Sequence, residues 1–138
     1  MSRRYLLDTG PAGRWVEKKG LYFRRAMELS RAGAVIGTTT PVVGELWQGY
    51  EWSQSRDENL VMCQRRLRQI TIWPYDSVAA REFGRIYAEL RRIGRPMQQI
   101  DMQAAAVART LGDCTVVTVD TDLFAVPGLS VTDWSDEA

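Results

Sequence analysis

The sequence predicts an α/β fold built around a parallel sheet, and three observations carry that expectation. Short apolar runs alternate along the chain with longer apolar runs at helical period. Turn-forming residues bound the short runs. One short run, "CTVVTVD", is apolar without interruption, as befits a strand buried on both faces. Right-handed crossovers would join such strands. The chain has 138 residues, enough for one domain that buries roughly two-thirds of its unfolded surface.

Taken in order, Tyr5–Leu7 is the first strand, stopped by Asp8 and turned by Thr9, Gly10 and Pro11. Pro11 suits the first turn of a helix that carries Trp15 and Val16. In "LYFRRAMELSRAG", Leu21, Phe23, Ala26, Met27 and Leu29 recur near a 3.6-residue period, and Gly33 stops the helix. "AVIGTTT" is the second strand. Thr40 resembles an N-cap with Pro41 at the first helical position, opening the helix "PVVGELWQGYEW". "RDENLVMCQRRLRQI" is a further amphipathic helix, and "TIW" a brief strand closed by Pro74. Asp76 or Ser77 caps "VAAREFGRIYAELRRIG", where Phe83, Ile86, Tyr87, Leu90 and Ile93 line one face and Gly94 ends it. "QQIDMQAAAVARTLG" is a helix ended by Gly112. After "CTVVTVD", the turn "TDLFAVPG" leads to a last strand, "LSVTDW". Trp47, Tyr50 and Trp52 cluster at the end of the Glu45 helix, either as core or as a partner surface.

Composition narrows the chemistry. No run approaches the ~20 apolar residues of a membrane span, and the N-terminus lacks the features of a signal peptide. Cys63 and Cys114 match no zinc spacing and read as packing residues of a reduced, cytoplasmic protein. There is no histidine, which excludes His-type zinc enzymes, Ser-His-Asp hydrolases and His general-base nucleases. Net charge is +1, so no global basic field attracts nucleic acid. Of the 18 basic residues only Lys18 and Lys19 are lysine. Arginine binds phosphate bidentately, but a GC-rich genome gives the same bias.

The carboxylates hold the strongest functional signal. Ligands of open parallel α/β sheets bind at the carboxyl ends of the strands. Asp8 ends the first strand, and Asp120 follows "TVVT". Glu45 falls one turn into the helix after the second strand, amid Val42, Val43 and Leu46. Asp101 sits near the start of an otherwise apolar helix. Each has a purely structural alternative: Asp8 as a cap, Asp101 as a first-turn acid favoured by the helix dipole, Asp120 or Asp122 as a cap of the next turn. Glu45 has the weakest one, since a mid-helix acid on an apolar stripe needs a partner. If the four converge, their repulsion calls for a divalent cation, and an oxygen-only set favours Mg²⁺ or Mn²⁺. Such an ion suits phosphodiester hydrolysis.

At these residues the chain resembles the PIN domain, specifically the VapC-type toxin ribonucleases of type II toxin–antitoxin pairs. "YLLDTGP" resembles that family's first strand and Asp-Thr turn, and "TTTPVVGELWQG" its Ser/Thr-rich strand end and Glu-Leu helix. The stretch from "AAREFGRIYAELRRIGRP" through "IDMQAAAVARTLGDCTVVTVDTDLFAVPGLSVTDW" is similar in order and spacing to the family's Gly-Arg-Pro, Asp, Ala-rich helix, "VT" and acid, then Phe, Pro-Gly-Leu and Trp. The resemblance implies a single PIN-like domain over residues 1–138, a three-layer α/β/α fold with a central parallel sheet. It implies catalytic Asp8, Glu45, Asp101 and Asp120, with Asp8, Asp101 and Asp120 holding Mg²⁺ or Mn²⁺. It further implies an RNA substrate, a small cognate antitoxin and a homodimer, with no membrane association. Thr118 would hydrogen-bond a site carboxylate or water, or else be an ordinary strand-end residue. Asp122 would stand behind the site or on the surface. Arg14 and Arg95 are candidates for holding RNA phosphates.

Three positions depart from the family pattern. Gly10 stands where many members carry Asn, Gln103 and Ala104 replace larger apolar residues, and "TVDTDLF" offers two acids. A non-catalytic PIN-like module that binds RNA or protein is the alternative. A phosphoacceptor domain is disfavoured because both lysines come early, and a dinucleotide binder because no Gly-x-Gly-x-x-Gly follows the first strand.

Overall fold

The computed structural model describes residues 3–137. Strands Arg4–Leu7 (β1), Val35–Thr39 (β2), Thr71–Trp73 (β3), Cys114–Val117 (β4) and Ser130–Thr132 (β5) form one sheet in the order β3-β2-β1-β4-β5. Every pairing is parallel: Tyr5 stands opposite Ile36 and Thr115, and Leu7 opposite Val117. The carboxyl ends of all these strands therefore share one edge, with β1, the strand that leads to Asp8, in the middle.

Helices Thr9–Glu17 (α1), Gly20–Arg31 (α2), Thr40–Glu51 (α3), Arg56–Leu67 (α4), Ser77–Arg92 (α5) and Gln99–Leu111 (α6) cover the two faces, with short 3₁₀ turns at Thr121–Ala125 and Trp134–Glu137. Strand periodicity assigns the faces. Leu6 and Val116 point into a core shared with Ile86, Leu90 and the α6 alanines. Tyr5, Leu7 and Val117 point into a second core with Trp15, Val42, Leu46 and Cys63. This is the three-layer α/β/α sandwich. Ala104, Ala105, Ala106 and Ala108 are all buried, so α6 presents small side chains to its neighbours. The Ala104 departure thus serves close packing. Arg109 of α6 clamps α5, reaching Glu82 and Glu89 at 2.6 Å each.

Several expectations shift by one position. Thr39, not Thr40, caps α3, accepting a hydrogen bond from the Val42 amide. Thr40 instead accepts one from the Tyr75 amide, fastening the exit of β3 to the start of α3. In α2, Ala26 is buried and Phe23, Met27 and Leu29 pack partly buried against the core, as expected; Tyr22 is buried as well, its hydroxyl reaching the Asp133 carboxylate beyond β5. Trp134 is fully buried against the rings of Tyr5 and Tyr22. On α5 the inward stripe is Ala79, Ile86 and Leu90; Tyr87 and Ile93 are half exposed. Asp76 caps that helix through the Ala79 amide. Trp47 and Tyr50 pack against the core, but Trp52 is 92 % exposed. Cys63 and Cys114 are buried and unpaired. No helix among the described residues is long and apolar enough to cross a membrane.

Candidate active site

Asp8 leaves β1 at the centre of the carboxyl edge. Its amide donates to the Val117 carbonyl at 2.9 Å, and its own carbonyl accepts from the Ala12 amide at 2.8 Å. The backbone thus occupies the N-cap position of α1, but the side chain makes no capping hydrogen bond. Instead Oδ2 accepts from the Thr118 hydroxyl at 3.0 Å. Oδ1 and the neighbouring Thr9 hydroxyl are buried without a hydrogen-bond partner. A carboxylate only 5 % exposed with an orphaned oxygen is expensive for the fold. Burial raises the Asp8 pKa, against the pull of the Thr9 amide dipole and the Thr118 hydroxyl, and the Asp120 charge raises it further.

Asp101 comes to the same place from the first turn of α6 and is 6 % exposed. The helix dipole favours a charge there, by up to about 1 kcal/mol in ordinary settings. Burial and repulsion outweigh it. Desolvation first, then the charges of Asp8 and Asp120, with a smaller contribution from Asp122, push the Asp101 pKa up to about 7. Asp120 is placed by Thr118: its amide donates to the Thr118 hydroxyl at 2.9 Å, and its Oδ1 accepts from the Asp122 amide at 2.9 Å. Three elements thus bring Asp8, Asp101 and Asp120 into one electrostatic cluster, and the fully buried Thr118 ties two of them together.

Glu45 makes no direct bond to that cluster. It is exposed on α3, and among the described residues no hydrogen bond or ion pair joins it to the aspartates. Its inward-facing position, expected from the apolar neighbours in sequence, is therefore corrected: Val42 and Leu46 face the core, and Glu45 points away from it into solvent. Asp122 is exposed and lies 3.9 Å from Arg95. Arg14 is exposed on α1. Two groups escaped the sequence reading. Thr38 donates from its hydroxyl to the Leu7 carbonyl at 2.6 Å, bracing the backbone just before Asp8. Thr9 holds its hydroxyl in the same buried corner. The signal was the run of three threonines at the end of β2 and the Asp-Thr pair; what each hydroxyl bonds is a matter of register.

The donor set is suited to a divalent cation held largely through water. Among the described residues no three acidic side chains already form a ligand cage. A Mg²⁺ ion, however, takes one or two carboxylates directly and keeps several waters. An orphaned, buried Asp8 oxygen and mutually repelling neighbours, all hard oxygen donors, fit such an ion.

A parallel α/β/α sandwich with an aspartate cluster on its carboxyl edge is the architecture of a PIN-like domain. The PIN domain family matches residues 5–129. Over 132 residues the chain is 32 % identical to the tRNA(fMet)-specific endonuclease VapC of Shigella flexneri, covering 96 % of this chain and 98 % of that protein. It is 28 % identical to the Salmonella typhimurium protein of the same name, over 95 % of this chain and 98 % of the relative. Among solved structures, DNA-bound VapBC from Salmonella typhimurium superposes with a TM-score of 0.85 at 27 % identity, covering 96 % and 98 % of the two chains. VapBC2 from Rickettsia felis, bound to a promoter DNA fragment, shares the fold with a TM-score of 0.85 at 21 % identity over 94 % and 98 %. The chain belongs to the PIN domain family, and its curated relatives here are VapC proteins.

Proposed function

We propose that this protein is the toxin ribonuclease of a toxin–antitoxin pair, hydrolysing RNA phosphodiester bonds with Mg²⁺ or Mn²⁺. The observation that carries the reading is the convergence of Asp8, Asp101 and Asp120 on the carboxyl edge, where burial first, and then the charges of Asp8 and Asp120, push the Asp101 pKa up to about 7. A fold has no structural use for such a cluster, because each charge raises the cost of the others. Curated relatives named as endonucleases support RNA cleavage, and the name of the Shigella relative makes tRNA the first substrate to try.

Asp8, Asp101 and Asp120 would hold the ion. When bound, it supplies Lewis acidity to water and charge neutralisation to the scissile phosphate. The protein's own groups do the rest. Thr118 fixes the Asp8 carboxylate and the Asp120 backbone. Glu45, free to turn in solvent, positions the attacking water or takes its proton at a carboxylate oxygen. In-line attack leaves 5′-phosphate and 3′-hydroxyl ends. A small antitoxin would silence the site, a reading supported by structural neighbours that are VapBC assemblies. A homodimer is part of the same proposal, and the fully exposed Trp52 is the kind of residue that anchors a protein interface.

The test is incubation of tRNA and total RNA with wild type and Asp101→Asn, in Mg²⁺ or Mn²⁺ and then in EDTA. Cleavage that requires the ion and disappears in the variant is expected. A folded wild type that cuts none of several RNAs would turn the reading toward a non-catalytic binding module.

A further inference from the structure

The segment that carries Asp120 also turns two apolar side chains out into water. Val119 is 53 % exposed and Phe124 is 54 % exposed. An isolated exposed aromatic needs no explanation, but this one has a rigid mount. The Thr118 amide bonds the Thr132 carbonyl at 3.1 Å, the Asp122 amide bonds Asp120 at 2.9 Å, and the Val126 amide bonds the Leu123 carbonyl at 3.2 Å. Leu123 and Val126, on either side of Phe124, are both buried in the core. Val119 in turn lies close over the chain at Gly10, where an added Cβ would stand 3.2 Å from Val119 Cγ2. The backbone under Phe124 is thus anchored on both sides while about half of the residue stays open to solvent.

The same rim offers a cation. Arg95 Nη2 is 3.9 Å from Asp122 Oδ1, and both side chains are more than half exposed. Such a pair is weak and holds the guanidinium near the aspartates without committing it. The carboxylates themselves offer nothing to a phosphate chain beyond the one at the ion, so neighbouring nucleotides must be held by neutral or cationic groups at the rim.

We propose that Phe124 is a stacking platform for an unpaired nucleobase of the RNA substrate, flanked by Val119, with Arg95 taking an adjacent phosphate. This deepens the ribonuclease reading above and rests on it. Aromatic rings stack on any base, so the platform selects unstacked nucleotides and not a particular sequence. Its fixed backbone limits the ordering lost on binding.

The test is steady-state cleavage of a single-stranded RNA oligonucleotide, and of copies lacking one base at successive positions around the cut. Wild type, Phe124→Leu and Phe124→Trp are compared. Phe124→Leu is expected to lower kcat/KM about tenfold, through KM, while Phe124→Trp retains it. One abasic position is expected to cost the wild type about tenfold and Phe124→Leu nothing further. Phe124→Leu cutting every substrate as the wild type does, or losing equally on all of them, would overturn the platform while leaving the ribonuclease reading standing. Phe124→Leu that cuts normally but escapes a cognate antitoxin would overturn it in favour of a protein-binding surface. A wild type that cuts no RNA removes both readings together, an outcome distinct from the others.

Discussion

The Thr118 hydroxyl donates to Asp8 Oδ2 at 3.0 Å and so joins the ends of β1 and β4 at the middle of the carboxylate cluster. The same oxygen accepts from the Asp120 amide at 2.9 Å. One buried hydroxyl therefore holds one aspartate by its side chain and another by its backbone.

Thr118→Val keeps the shape and removes both bonds. It leaves an Asp8 oxygen and the Asp120 amide unsatisfied, so a loss of roughly 1–3 kcal/mol in unfolding free energy is expected. Cleavage should fall as well, since Asp8 loses its orientation. Thr118→Ser, which keeps the hydroxyl, should recover most of both. Urea denaturation beside an RNA cleavage assay measures this, and a Val variant that equals the wild type in both would deny Thr118 its bracing role.

The raised pKa values fix the sign of a pH effect. Asp101 titrates near 3.8 when unfolded and about 7 when folded without an ion. Between those values the folded state binds more protons than the unfolded one, so stability falls as pH rises from about 4 to 7, by at most about 1.4 kcal/mol per pH unit from this group. Asp8, also raised, adds to the same trend. Denaturation in EDTA at pH 5, 6, 7 and 8 should show the decline, and Asp101→Asn should flatten it. Stability that climbs over this range would contradict a repelling cluster.

A divalent ion should reverse that penalty. At one hundred times its dissociation constant an ion that binds only the folded state adds about 2.7 kcal/mol. Mg²⁺ or Mn²⁺ is therefore expected to raise the Tm of the wild type at pH 8. Asp8→Asn and Asp120→Asn should raise the basal Tm slightly and respond less to the ion. A wild-type Tm indifferent to both metals would remove the aspartates as ligands.

The order of strands and helices was legible because the chain alternates period-2 and period-3.6 apolar patterns, and each aspartate of the cluster could be placed from its position at a strand end or helix start. What the sequence hid was register. The run Thr38-Thr39-Thr40 announces a cap, but only the turn geometry decides that Thr39 caps α3 while Thr38 braces Leu7 and Thr40 holds Tyr75. Glu45 misled for a related reason: Val42 and Leu46, four residues apart, define the inward stripe, and a residue adjacent to one of them in sequence is rotated about 100° away. The Tyr22–Asp133 contact joins residues 111 apart, beyond the reach of any local pattern.

Gly37 shows how tightly the sheet specifies its own edge. A Cβ there would stand 2.5 Å from the Thr71 carbonyl oxygen and 2.6 Å from the Trp73 ring. Trp73 is buried and Thr71 is part of the ladder, so neither yields cheaply. Gly37→Ala is expected to cost roughly 1–3 kcal/mol as an overpacked site, read as a lower midpoint in urea. A midpoint equal to the wild type would mean that β3 moves freely against β2.

Glu45 separates chemistry from architecture. Its side chain is exposed and, among the described residues, free of hydrogen bonds and ion pairs. Glu45→Gln should therefore change folding stability by no more than about 0.5 kcal/mol. Because the aspartates hold the ion in the proposed reading, the rise in Tm with Mg²⁺ should persist. Cleavage, however, should fall by roughly 10²–10⁴-fold, the usual loss when a positioned proton acceptor is removed. The loss should be in kcat, since Gln still fits the space and the RNA-holding groups proposed above, Phe124 and Arg95, are untouched. A variant that cleaves at the wild-type rate would strip Glu45 of that role and leave the three aspartates to activate water on their own. A variant that loses the metal response as well would make it a ligand, drawn inward when the ion binds.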